Sequence, residues 1–215
     1  MKQTLSDQAR RDLDARVTEA EERTRIQIVL AVIHRCDTYT ELPWKAFALG
    51  ASVAGLLVII LDWRLYDWYP QVTALIMVAG ILGCGALLAL LTVLVPRFAR
   101  CFLSAHRADV EVQQYAKSLF LERELFATPK RKGILLLVSL FEHRVVILPD
   151  SGLNEQLKEY NIRDMIAVMT PFLKRKQISQ AFETGLEQLT RILTTAASDA
   201  EDDELSNEII EEEGV

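Results

Sequence analysis

Cysteine and histidine are scarce in this 215-residue chain, with three of each. Cys36, Cys84 and Cys101 lie far apart and form no CxxC pair or zinc-type spacing. A disulfide framework is therefore not expected, and the usage fits a reducing compartment. No P-loop, GxGxxG, HExxH or nucleophile elbow occurs, which removes the usual signatures of nucleotide binding, zinc proteolysis and serine hydrolysis. Positive charge is also short: 24 Lys and Arg stand against 30 Asp and Glu, a net −6. Nine acids and no base fall between Asp199 and Glu213, which leaves about +3 for the rest. That near-neutral body lacks the dense basic face that nucleic-acid binding requires, so nucleic acid is not an expected partner. Residues Met1 to Asp7 carry no apolar signal-peptide core, and the chain is expected to open in soluble sequence.

Charge is missing altogether from two stretches, Ala46 to Leu61 and Pro70 to Pro96. A helix needs about 20 apolar residues to cross a bilayer. The second stretch has that length; the first reaches it if Trp44 and Trp63 sit in the two interfaces. Between them lies Asp62-Trp63-Arg64-Leu65-Tyr66-Asp67-Trp68-Tyr69, the composition of an interfacial aromatic belt. The pattern predicts a transmembrane hairpin at 44–98. Lys45 precedes the first span and Arg97, Arg100 and Arg107 follow the second, whereas the loop holds one Arg against two Asp. The positive-inside rule then sets both termini in the cytoplasm, with two spans in the inner (plasma) membrane. No ionisable residue interrupts either span, which argues for an anchor and against a transporter. Small residues four apart (Gly50 with Ala54, Ala51 with Gly55, Ala79 with Gly83) predict close packing of the hairpin on itself. The sharper alternative is docking on a second copy or on another membrane protein.

The flanks read as one soluble domain of roughly 160 residues, enough to bury a core. Ser6 is positioned to cap a helix whose face repeats Ala9, Leu13, Val17 and Ala20. Ile26 to Ile33 is β-branched and nearly continuous, the pattern of a strand buried on both faces. Beyond the hairpin, Ala108, Val112, Tyr115 and Leu119 predict a helix that continues from the second span. After the punctuation at Pro129 and Gly133, Ile134 to Leu140 and Val145 to Leu148 predict two strands joined by the polar turn Glu142-His143-Arg144. Helices follow around Ile162 to Phe172 and Ile178 to Leu193. A strand, long crossover and strand imply a right-handed parallel unit. The chain divides into a first domain segment (1–43), the hairpin (44–98), a second segment (99–195) and an acidic tail (196–215) too charged to fold.

Chemistry is harder to place, and no catalytic residue is assigned. His143 with Arg144, near Glu142 and Asp150, would suit phosphoryl oxygens, but an exposed polar hairpin tip explains the same residues. His34, Cys36 and Asp37 follow the first strand, and Asp150 with Gly152 ends the last. Open α/β sheets bind ligands at the carboxyl ends of strands, which makes His34, Asp37 and Asp150 the candidate metal ligands. Asp-Ser-Gly is also ordinary turn chemistry.

Two segments resemble the TPM domain family. Leu5-Ser6-Asp7, with Thr24-Arg25-Ile26-Gln27-Ile28-Val29-Leu30, resembles the start of that domain. Gly133 to Asp150 is similar to its central β-hairpin, and Asp150-Ser151-Gly152-Leu153 to the turn that follows. The resemblance spans about residues 5–40 and 105–194. It implies a small α/β/α sandwich, here split by the inserted two-helix transmembrane hairpin. It further implies either a metal-dependent phosphatase using calcium or magnesium, or an auxiliary factor for membrane complexes. Lacking a catalytic cluster and carrying an elaborate anchor, the sequence favours the second: a non-enzymatic adaptor or assembly factor facing the cytoplasm.

Overall fold

A computed structural model describes residues 6–64 and 72–202. The loop aromatics Tyr66, Trp68 and Tyr69 and the tail beyond Asp202 fall outside them. The chain divides into two compact units, one of residues 1–32, 115–138 and 145–215, the other of 33–114 and 139–144.

The first unit is built on a three-stranded sheet of order β1-β2-β3, with β1 Gln27–Ile33, β2 Gly133–Ser139 and β3 Arg144–Pro149. Gln27 N donates to Lys132 O and Leu140 N to Ile33 O, so residue numbers rise together and β1 runs parallel to β2. β3 returns antiparallel, with Asp150 N bonded to Gly133 O at the hairpin base. β2 is central and buried at all seven positions. Its run Ile134 to Val138 is at most 2% exposed, and at about 2 kcal/mol per aliphatic side chain this strand dominates the core. β1 departs from expectation. It is an edge strand, and only Ile28 within it is fully buried; its β-branched run serves a half-covered face rather than two covered ones.

Helix α1, Asp7–Thr24, starts on Ser6, whose Oγ accepts from Ala9 N at 3.2 Å. It buries Leu13 and Ala20 and packs on α7, Ile178–Asp202. The last helix therefore runs past Leu193 into the first acids of the tail. Between them α6, Glu159–Lys174, packs on α7, where a Cβ on Gly185 would meet Met169 Sδ at 2.9 Å. Glycine there lets the two helices close on a fully buried Met165 and Met169.

The second unit is dominated by α2, Glu41–Arg64, and α3, Val72–Leu94, which pack along each other. At 1.5 Å per residue they are about 36 and 35 Å long, and both are long and apolar enough to cross a membrane. Gly50 and Gly85 make the close approach. A Cβ on Gly85 would lie 2.9 Å from the Phe47 ring, and one on Gly50 3.1 Å from Cys84 O. Gly80 and Gly83 have open space instead, so the Ala79–Gly83 pair is not the packing seam. Outward-facing side chains are large and apolar: Ile59 is 67% exposed, Leu75 76% and Leu87 64%.

The second helix does not run on into the soluble part. Val95 is extended and Pro96 opens the four-residue α4, Pro96–Ala99, followed by a 3-10 turn at Arg100–Phe102. Proline disfavours helix at the residue before it and lacks the N–H that would continue the ladder. Helix α5, Ala105–Glu122, then starts afresh and crosses from one unit into the other. It buries Ala108, Val112, Ala116 and Phe120, whereas Tyr115 and Leu119 are only half-buried.

Candidate functional site

Among the described residues two carboxylates are buried, one in each unit: Glu142 and Asp150, each 5% exposed. A buried carboxylate is costly unless its oxygens are bonded, so each marks a place where the sequence retains polar chemistry inside.

Glu142 sits in the turn between β2 and β3, where an exposed polar tip was expected. The ladder runs past β1, with Phe141 N donating to His34 O at 3.0 Å, and this draws the turn against residues 34–39. Glu142 Oε1 accepts from Cys36 N at 3.0 Å and from the Tyr39 hydroxyl at 2.8 Å. Oε2 accepts from the Ser139 hydroxyl. Tyr39 is 1% exposed and holds a left-handed φ of 45°, unusual for a bulky residue. Its ring packs on Phe141 with Leu42 and Ala99. Burial, reinforced by the bond to Glu142 and its negative charge, raises the Tyr39 phenol above its ordinary range. Burial likewise pushes the Cys36 thiol up to about 12, with the Glu142 charge adding to it. Thiolate is the reactive form of cysteine, so Cys36 is inert near neutral pH.

His143, at φ 53°, contacts Arg100, while Arg144 pairs with Asp109. Burial first, then the charges of Arg100 and Arg144, lowers the His143 pKa from 6.5. The His143-Arg144 pair is thus divided between two partners. Asp37 caps its own turn through Thr38 N at 2.7 Å and faces Arg107 at 3.6 Å. Arg107 also meets Glu41 and Glu111. His34 is exposed at the end of β1.

Asp150 belongs to the sheet unit. Its Oδ1 accepts from Ser151 N at 2.7 Å and from Arg131 at 3.0 Å. Its Oδ2 is buried without a partner among the described residues. Gly152 beside it is required by contact: a Cβ there would collide with Lys130 O and sit 2.7 Å from Arg131 O. Among the described residues no three His, Cys, Asp or Glu side chains are grouped to hold a metal ion. His34 and Asp37 fall in one unit and Asp150 in the other. The donor set for calcium or magnesium is one open carboxylate oxygen whose sister is held by a guanidinium, which does not fit a cation cage by itself.

Sequence reasoning placed Glu142 in an exposed polar turn and missed its burial. The Ser139-x-x-Glu142 spacing across the turn is a signal for one bond. The other two donors come from residues more than 100 positions earlier, with no signal in the sequence.

Taken together, this is a small α/β domain whose first two strands are separated by a pair of long apolar helices. Residues 90–192 match the model of the TPM domain family. That match starts in the last turn of α3 and runs through α5, the β-hairpin, α6 and most of α7; residues 5–40 lie outside it. The fold is also similar to the NMR structure of BA42 protein from the psychrophilic bacterium Bizionia argentinensis. The TM-score is 0.52 at 11% identity, over 91% of this chain and 85% of that one. No curated protein matches the sequence.

Proposed function

We propose that this TPM domain is anchored in the inner membrane by α2 and α3, faces the cytoplasm, and works there as a non-enzymatic adaptor or assembly factor. The observation that carries the non-enzymatic reading is the engagement of Glu142. The buried carboxylate that would serve as a general base instead closes three hydrogen bonds, and the thiol and phenol around it are held in their protonated forms. Catalysis needs a group poised to change protonation near working pH; the Cys36 thiol and the Tyr39 phenol are set away from that range. The anchor reading is supported by two helices of spanning length whose apolar side chains face outward, an arrangement costly in water. Phosphate-ester hydrolysis by the purified full-length protein, abolished by Asp150→Ala or His143→Ala, would overturn the adaptor reading.

A second reading, a metal-dependent phosphatase, is favoured by one observation, the buried open Oδ2 of Asp150. Titration calorimetry with calcium, magnesium and manganese tests it: heat lost on Asp150→Asn supports a cation there, and no heat removes it.

A further inference from the structure

Where α2 begins and α3 ends, the second unit holds a groove of about 830 Å³. Its walls combine two kinds of surface. Trp44, in the first turn of α2, and Val93, in the last turn of α3, are 72% and 67% exposed and apolar. Arg35, Arg100 and Thr40 line the polar side. No acid lines it.

The arginines are set apart from the others nearby by what they lack. Arg107 gathers Asp37, Glu41 and Glu111, and Arg144 takes Asp109. Among the described residues neither Arg35 nor Arg100 has a carboxylate partner. Arg100 contacts the His143 imidazole, which carries no negative charge. Arg35 is held over the Phe141 and Tyr39 rings, 4.7 and 5.1 Å from their centroids, and donates to Thr38 O at 2.5 Å. Stacking fixes the guanidinium plane while leaving donors for a further acceptor. Two guanidiniums without carboxylates, beside an apolar wall at the ends of two membrane-length helices, match the phosphodiester and upper acyl chain of a lipid.

We propose that this groove is a site for an anionic phospholipid, with the headgroup phosphate on Arg35 and Arg100 and an acyl chain against Trp44 and Val93. The proposal rests on the anchor reading. The lipid would brace the entry of α2 against the exit of α3 at the surface of the bilayer.

The test reconstitutes the full chain in nanodiscs of phosphatidylcholine alone and of phosphatidylcholine mixed with phosphatidylglycerol, and measures retained lipid by native mass spectrometry. A basic side chain near an anionic surface contributes about 1 kcal/mol, so Arg100→Gln is expected to cut phosphatidylglycerol retention about fivefold. Arg35→Gln is expected to do the same, and Arg100→Lys to restore part of the loss. Arg97→Gln, on the same exposed segment but outside the groove, is expected to leave retention unchanged. Equal losses for Arg97→Gln and Arg100→Gln would mean bulk attraction and overturn the site. Equal retention of both lipids, or full competition by inorganic phosphate at matched concentration, would overturn it too while leaving the anchor reading intact. Failure to enter either nanodisc would overturn both.

Discussion

Glu142 and Asp150 are equally buried, yet they are provided for differently. Glu142 has donors on both oxygens, two of them more than 100 residues away in the chain. Asp150 has donors on Oδ1 only, and they come from its neighbour Ser151 and from a half-exposed Arg131. A carboxylate satisfied by distant segments works as a clasp, because it bonds only when those segments have come together. A carboxylate satisfied by its neighbour works as a cap and leaves an oxygen for something else. The same buried chemistry thus serves architecture at the hairpin turn and remains open at the hairpin base.

The largest break in this comparison is expected from Glu142→Ala. It strands the Cys36 amide and the Tyr39 and Ser139 hydroxyls in a buried place, and unmet buried donors cost about 1–3 kcal/mol each before relaxation. A loss of about 3–5 kcal/mol is expected in denaturant unfolding of the full chain, with Glu142→Gln retaining part of it. Asp150→Ala should cost only about 1 kcal/mol, the usual worth of a cap. The exposed side of its ion pair with Arg131 adds little. Equal losses at the two positions would erase the distinction between clasp and cap.

A smaller effect sharpens the comparison without touching the fold. The Cys36 thiol, pushed up to about 12, is expected to react with iodoacetamide far more slowly near neutral pH than the exposed Cys101. Mass-spectrometric labelling of each site across pH reads this out, and rapid labelling of Cys36 near neutral would contradict the clasp.

The smallest effect concerns His143. Its folded pKa lies below the ordinary 6.5, so the unfolded chain takes up the proton first as pH falls. The associated stability is present above about 6.5 and is lost as pH drops through the lower folded value. Unfolding midpoints from neutral to mildly acidic pH should decline less steeply in His143→Gln than in the parent.

Much of this was legible in the sequence where a local rule decides the outcome. Ser6 caps α1 because a hydroxyl ahead of a helix finds an N–H one turn on. The paired strands around the 140–143 turn follow from two β-rich runs and a polar break, and the two long apolar helices follow from length and missing charge. What stayed hidden depends on partners remote in sequence. The β-branched run of β1 looks the same whether the strand lies at the centre or the edge of a sheet. Glu142 looks like a solvated turn residue until Cys36 and Tyr39 arrive. The break between α3 and α5 was not read from the sequence: the restriction that Pro96 places on Val95 outweighs the apolar continuity that suggested one long helix.

We propose that α2 and α3 hold the α/β domain on the cytoplasmic side of the membrane. A topology reporter fused at Val215 of the full chain tests it most directly. A cytoplasmic signal from a membrane fraction that resists alkaline extraction is the result predicted here. An external signal, or release of the chain into the soluble fraction, would contradict it.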